Sequence, residues 1–333
     1  MIQQDKSYFP KQNSRILNKL PGKKTAGEQK QIRIVLDLLF GLTLISILAA
    51  ITYREVPVFW EKISQPGLVA SERLTPNLPT AVPTPKFNSQ KQTVEEMIIP
   101  LRGKYSVFFE ELESGEGFGI NEKELLVAAS LIKMPVLITL FRESEAGKVE
   151  LGQVYKLQET DKIGGAGALQ YKPEGYEISY REMARLMGEQ SDNTAVNVII
   201  NLLGEEKIQA TINALGLKNT SISENLTTAY DMGLLFKKLY QEKIVTDEDR
   251  DEILSFITKT IWEDRIPAGL PEGIKVAHKI GTETGVVSDA GIVFSNHPFV
   301  LVIMSQNINE IEAKKALPEI TKKIYETTQG SQI

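Results

Sequence analysis

Five strand-like runs flank a long helical stretch, and this arrangement restricts the possible folds more than any other feature of the chain. Early on, "KYSVFFEEL" (104–112) and "KELLVAA" (123–129) read as strands, and the glycine-rich "ESGEGFGIN" between them reads as a turn, so the two should form an antiparallel hairpin. Late in the chain come "GIKVAHKIG" (273–281), "VVSDAGIVF" (286–294) and "PFVLVIMSQ" (298–306). Between the two groups, residues 130–145, 178–189, 193–203, 205–215, 227–240 and 246–260 carry apolar side chains at the three- and four-residue spacing of helices. A short helix is expected over "VEEMIIPLRG" and a last one over 308–327. The prediction is an α+β domain of the three-layer α/β/α kind. One antiparallel sheet gathers strands from both ends, helices cover it, and the helical block forms a second lobe. A cleft between the lobes would be lined by the sheet edge and by the first residues of helices.

This pattern occupies residues 94–330. Ahead of it the sequence changes character three times. Residues 1–33 are polar and basic, with Lys6, Lys11, Arg15, Lys19, Lys23, Lys24, Lys30 and Arg33 against Asp5 and Glu28. Residues 34–53 hold the apolar run "IVLDLLFGLTLISILAAIT", whose helix would be roughly 28 Å long, about one hydrocarbon thickness. Its one charge, Asp37, lies a turn from the basic end. A cleaved signal peptide and a buried soluble helix are the rival readings. The long basic region and the lack of an A-x-A site argue against cleavage, and the lack of a recurrent polar face argues against a soluble helix. The expectation is a retained single-pass transmembrane anchor. A cytoplasmic basic flank then sends the bulk of the chain across the membrane, to the periplasm or the cell exterior. Residues 54–93, including "LTPNLPTAVPTPKFNSQKQ", read as an extended linker rich in Pro and Thr.

Composition narrows the chemistry. The 333-residue chain has no cysteine, which excludes disulfides, zinc–thiolate sites and thiol catalysis. With only His278 and His297, a multi-histidine metal site or a serine–histidine triad has little material. A net charge of −5 gives no reason to expect nucleic acid as a partner. A serine nucleophile in this chain would need a base other than histidine.

Three short stretches can supply that chemistry. In "VAASLIKMPV", Ser130 and Lys133 are three apart and share a helix face. At a helix N-terminus, free amides and the dipole favour negative charge developing on an oxygen. A lysine becomes a base when burial or a second cation lowers its pKa. Pro135 lies beyond the usual first-turn position and is expected to bend this helix start. In "GEQSDNTAVNVII", an inter-helix loop can point Ser191 and Asn193 into a cleft while Asp192 caps the next helix or braces the loop. In "AHKIGTETG", Lys279 precedes Gly281 and Thr282 on a strand; glycine lets a ligand lie close, and lysine can hold a carboxylate. Taken singly, each has an ordinary reading: a serine cap, an Asp N-cap and a solvated edge lysine.

Together, Ser-x-x-Lys, Ser-Asp-Asn and Lys-x-Gly occur in the order and on the elements found in class A β-lactamases and penicillin-binding proteins. The chain resembles the class A β-lactamase-like serine hydrolases over roughly residues 94–330, including "ISYREMARLMGEQSDNTAVNVIINLLG", "TTAYDMGLLFKKLY" and "VAHKIGTETGVVSDAGIVF". The resemblance implies that Ser130 is the acylated nucleophile and that Lys133 takes its proton. Ser191 relays a proton to the leaving nitrogen, Asn193 positions Lys133 and the substrate amide, and Lys279 supports Ser191 and attracts the substrate carboxylate. The backbone amides of Ser130 and Thr282 would form the oxyanion hole, with Gly281 and Thr282 in the substrate site. The partners implied are a β-lactam or a peptidoglycan stem peptide, with neither metal nor organic cofactor.

Two departures stand out. Ile280 replaces the usual threonine of the strand motif, so a hydroxyl for the substrate carboxylate is missing. Thr282 would replace part of it, and no arginine stands on the following strands to help. Between "LGLKNTSISE" and "NLTTAYDM" the connection lacks the Ω-loop Glu-x-x-Leu-Asn motif whose glutamate activates the deacylating water. Glu224, the nearest acid, reads as a solvated loop residue. The expectation is acylation without fast hydrolysis, which leaves three functions open: a β-lactamase, a D,D-peptidase or penicillin-binding protein, and a sensor that does not turn over.

Overall fold

The computed structural model describes residues 85–330. The basic segment, the expected transmembrane anchor at 34–53 and the linker as far as residue 84 lie outside the described residues. Among the described residues no helix is long and apolar enough to cross a membrane.

The first helix, α1 (Pro85–Ile98), begins ahead of Val94, so residues 85–93 join the domain rather than the linker. Phe87, Gln90, Val94 and Ile98 are its buried stripe. The Phe87 ring meets Phe109 edge-on at 5.1 Å, and Gln90 Nε2 donates to Ile324 O at 2.8 Å. These are tertiary contacts, which a polar, proline-flanked segment does not advertise locally.

A five-stranded sheet follows from β1 (Lys104–Glu111), β2 (Gly117–Ile120), β7 (Lys275–Glu283), β8 (Val286–Phe294) and β9 (Phe299–Gln306), in the order β2-β1-β9-β8-β7 with every neighbour antiparallel. It draws on both ends of the domain, as the alternation of apolar runs requires. Side chains of β9 alternate cleanly: Phe299, Leu301 and Ile303 pack under α1 and the last helix, α8 (Glu310–Gln329), while Val300, Val302 and Met304 face the helical block. Burying each such side chain contributes roughly 1.5–3 kcal/mol.

The hairpin partner of β1 is not "KELLVAA" but Gly117–Ile120, within the stretch read as a turn. Only Phe118 and Ile120 carry an apolar signal there, and both are buried. A Cβ at Gly117 would stand 2.0 Å from Phe109 O, so the pairing needs glycine. The expected strand shrinks to β3 (Leu126–Val127), which pairs with β6 (Leu226–Thr227) in a separate two-stranded sheet.

The helical block comprises α2 (Lys133–Glu145), α3 (Tyr180–Glu189), α4 (Asn193–Leu203), α5 (Glu205–Ala214), α6 (Ala229–Gln241) and α7 (Asp247–Thr258), with a small sheet of β4 (Val154–Lys156) and β5 (Glu177–Ser179). Side-chain N-caps from Ser179, Asp192, Thr228 and Thr246 start four of these helices. Helix α2 is buried continuously from Lys133 to Phe141 and forms the axis of the lobe. Its apolar circumference explains why a lysine at its first position is drawn out of water.

Candidate active site

Ser130 lies not in α2 itself but in a one-turn 3₁₀ segment, Ala129–Ile132, that leads into it. Ser130 and Lys133 therefore straddle the junction, and Pro135 becomes the third residue of the α-helix. Amides of the first turn have no intrahelical acceptor, so the proline removes no helix bond and is no misfit. Ala129, immediately before the serine, has φ +47°, a left-handed conformation that alanine rarely adopts. Such strain persists only where surroundings impose it. Here the Ala128 amide donates to Asn225 O at 2.8 Å, and the Leu131 amide to Ala128 O at 3.1 Å.

Strand β7 closes against this turn. A Cβ on Gly281 would lie 2.9 Å from Ala128 O and 3.2 Å from the Leu131 side chain. The glycine thus admits the turn of Ser130, where the sequence pointed to a ligand. Ile280, Thr282 and Glu283 line the cleft on this strand.

Ser191 is the hub. It is 2% exposed and has φ +56°, again left-handed for a residue with a side chain. Lys279 Nζ donates to its Oγ at 2.8 Å, and Lys133 Nζ lies 3.2 Å from the same oxygen. Lys133 also donates to Ser191 O at 2.5 Å and to Asn193 Oδ1 at 2.7 Å. A neutral amine has two N–H donors and one lone pair. The two carbonyl-type acceptors use both donors, which leaves the lone pair for a hydroxyl proton.

The loop that holds Ser191 is clamped from outside. Asp192, fully buried, caps α4 through Ala195 N (2.9 Å) and accepts from Leu169 N (2.8 Å), so it both caps the helix and braces the loop. Asn193 donates from Nδ2 to Gly164 O at 2.9 Å, and its backbone amide donates to Ala166 O at 3.0 Å. Gly167, at φ +96°, leaves no space for a side chain, since a Cβ would meet Asp192 Oδ2 at 2.1 Å.

Burial dominates the electrostatics. It lowers the Lys133 pKa to about 8, against the opposing charge of Asp192. Lys279 is pushed well below its ordinary value, first by burial and then by Lys133 beside it. Lowering favours the uncharged amine, the form that accepts a proton.

Sequence reasoning missed Arg265, which comes from the loop before β7 rather than from the strands after it. It is 2% exposed and donates to Gly281 O (3.0 Å), Ser288 O (2.5 Å) and Thr282 Oγ1 (2.5 Å). Behind it lies a buried pair, His278 Nδ1 and Asp289 Oδ1 at 2.9 Å, and Asp289 Oδ2 accepts from Ile266 N at 3.1 Å. No local periodicity marks an arginine in "WEDRIPAGLPEG" as part of a site.

The cleft measures about 670 Å³ and brings together Ser130, Lys133, Ser191, Asn193, Arg265 and Thr282. The short connection before β6 contributes Asn225 to its wall, while Glu224 is exposed and stands outside it. Among the described residues no group of three or more His, Asp or Glu is placed to hold a metal ion.

The Beta-lactamase enzyme family model matches residues 89–328. The chain belongs to the beta-lactamase enzyme family. The solved structure of PBP-A has 27% sequence identity to it and a TM-score of 0.71, covering 76% of this chain and 99% of that one. A mutant of PBP-A, in an acyl-enzyme complex with penicillin-G, matches equally well, at 27% identity and TM-score 0.71, over 76% of this chain and 100% of that one. The β-lactamase of Sphaerobacter thermophilus DSM 20745 has 26% identity and a TM-score of 0.69, covering 73% of this chain and 98% of that one. No curated protein sequence matches the chain. The family and these neighbours agree with the antiparallel α+β architecture, and the fold is that of a β-lactamase-like serine hydrolase.

Proposed function

We propose that Ser130 attacks the carbonyl of a β-lactam or a peptide-like amide and is left acylated. The observation that carries this reading is the hydrogen-bond chain Lys133–Ser191–Lys279, in which Lys133 and Ser191 line the same cleft as Ser130 and Lys279 lies buried behind Ser191. Ser130 Oγ gives its proton to the neutral amine of Lys133 as the C–O bond forms. The backbone amides of Ser130 and Thr282 hold the oxyanion. The C–N bond then breaks, and the proton reaches the leaving nitrogen through Ser191, with Lys279 supporting the hydroxyl. Asn193 holds Lys133 and receives the substrate amide. Thr282 Oγ1, which accepts from Arg265, keeps its own hydrogen for the substrate carboxylate and does the work that Ile280 cannot.

Release of the acyl group is slow in this reading. The short connection lends an amide, Asn225, to the cleft wall, and the acids that line it, Asp264 and Glu283, come from the loop before β7 and from β7 itself, not from the position of the Ω-loop motif. This favours a penicillin-binding or D,D-peptidase role, or a sensor that does not turn over, above a fast β-lactamase. The acyl-enzyme seen for the PBP-A mutant makes a penicillin the natural probe. The domain works outside the cytoplasm in this proposal, anchored by residues 34–53 and facing the cell wall.

The test is labelling with a fluorescent penicillin, followed by peptide mass mapping and a chromogenic β-lactam turnover assay. A stable adduct on Ser130 that Ser130→Ala abolishes supports the proposal. Labelling unchanged in Ser130→Ala refutes it, and rapid steady-state turnover returns the protein to the β-lactamases.

A further inference from the structure

Asp289 is fully buried on β8, and its carboxylate joins three parts of the fold. Oδ2 accepts from Ile266 N at 3.1 Å, and Ile266 is the residue that follows Arg265. Oδ1 lies 2.9 Å from His278 Nδ1 on β7 and accepts from Ala290 N at 3.0 Å. A buried carboxylate keeps its charge only where donors and cations surround it. Strand alternation places His278, Ile280 and Thr282 on one face of β7, with Asp289 opposite Ile280 in the register. Gly291 makes room for the imidazole, since a Cβ there would stand 2.5 Å from His278 Cβ.

Neither Asp289 nor His278 lines the cleft, and the acylation steps leave Asp289 without a task. What it holds is the loop that delivers Arg265. At 2% exposure the Arg265 guanidinium acts through the groups it bonds, Gly281 O, Ser288 O and Thr282 Oγ1. Thr282 is the one of these whose side chain is offered to a substrate in the reading above. Burial disfavours the charged forms of Arg265 and Lys279, and the charge of Asp289 opposes that in both. One carboxylate is thus the shared counter-charge behind the cleft.

We propose that Asp289 is a positioning residue for recognition of the substrate carboxylate. By holding Ile266 N and the His278 ring it fixes where Arg265 stands, and Arg265 in turn aims the Thr282 hydroxyl. The inference rests on the acylation reading above. No atom of Asp289 touches the substrate, so its effect is on discrimination and not on the bond-making steps.

Asp289→Asn keeps the size and one acceptor oxygen and removes the charge. Stopped-flow acylation is measured on the folded fraction with a penicillin and with its ester, and the ratio of the two rates is read. The acid-to-ester ratio is expected to fall by about tenfold or more, because a small misplacement of a binding group is costly, while the rate with the ester stays within about threefold of the parent's. In the Thr282→Val background the same substitution should leave the ratio unchanged, since the hydroxyl through which it acts is gone. Arg265→Lys keeps the charge but not the planar fork, and should lower the ratio as Asp289→Asn does. A parental ratio in Asp289→Asn, whether from no loss or from equal losses with acid and ester, overturns the inference. So does a parental ratio in Arg265→Lys, which decides the matter if Asp289→Asn fails to fold. Absence of any adduct with either substrate in the parent protein overturns the acylation reading instead.

Discussion

The guanidinium of Arg265 donates to the hydroxyl of Thr282 at 2.5 Å while bonding the carbonyls of Gly281 and Ser288. One buried side chain thus ties two strands together beside the cleft and directs the hydroxyl that, in the proposed function, takes the place of the motif's usual threonine. Thr282→Val removes that hydroxyl at nearly constant volume. A hydrogen bond to a charged group is worth about 1.5–3 kcal/mol. Acylation by a penicillin is expected to slow by about 10- to 100-fold at constant fold. The same variant tested with a penicillin ester, which has no carboxylate, should lose far less. Equal losses with both substrates would remove Thr282 from carboxylate binding.

In the proposed mechanism Lys133 makes acylation depend on pH in a direction that can be stated. Its pKa is lowered to about 8, chiefly by burial, and only the neutral amine can accept the Ser130 proton. As pH falls below about 8 the lysine protonates, and the acylation rate should drop toward a tenfold loss per pH unit. Above that value the rate should level off. Stopped-flow acylation from pH 6 to 9.5 checks this, and a flat profile would exclude Lys133 as the base. Lys133→Ala should cost about 10²–10⁴ in rate.

Gly281 is predicted to be intolerant of any side chain. In Gly281→Ala the new Cβ would sit 2.9 Å from Ala128 O, a backbone atom at the root of the Ser130 turn. Overpacking of this kind costs about 1–3 kcal/mol. Thermal melting should show a loss of several degrees, with acylation impaired beyond what the residual folded fraction explains. A variant that melts and acylates like the parent would mean that β7 and the Ser130 turn are not in contact.

The His278–Asp289 pair should leave a mark on stability. Burial opposes the imidazolium, but the charges and hydrogen bonds of Asp289 and, more weakly, Glu263 together outweigh it and raise the pKa to about 9. Because the folded value exceeds the unfolded one near 6.5, the pair's stabilisation is complete below pH 6.5 and is lost as pH rises through about 9. Urea unfolding should show a decline of up to about 3 kcal/mol across that interval. Asp289→Asn should lower stability at pH 6.5 and flatten this slope. A slope unchanged in the variant would assign it to other groups.

How much of this was legible beforehand varied with the kind of interaction. The helices of the block, the three C-terminal strands and the antiparallel sheet were readable, because apolar spacing and caps such as Asp192 and Thr228 are local signals. The hairpin was misread because Gly117 and Gly119 carry no apolar signal, although the lack of a side chain at Gly117 is what permits the pairing. Helix α1 started earlier than expected because its stability comes from contacts such as Phe87 with Phe109. Of the site, Ser130, Lys133, Ser191, Asn193 and Lys279 were named from motifs, and the structure brings Lys133, Ser191, Asn193 and Lys279 into direct contact.

The sequence by itself determined which side chains could carry chemistry in a chain with no cysteine and two histidines. It also determined that Lys133 opens a helix and that Lys279 and Thr282 sit on a strand, since periodicity, caps and short motifs act between near neighbours. Only the tertiary structure decided that Gly281 makes room for the Ser130 turn and that Arg265 arrives from a preceding loop to serve Thr282. It likewise decided that Asn225, and not Glu224, enters the cleft. The physical reason is the same in each case. These relationships join residues that are far apart along the chain, and burial and close approach exist only once the sheet and the helical lobe have packed together.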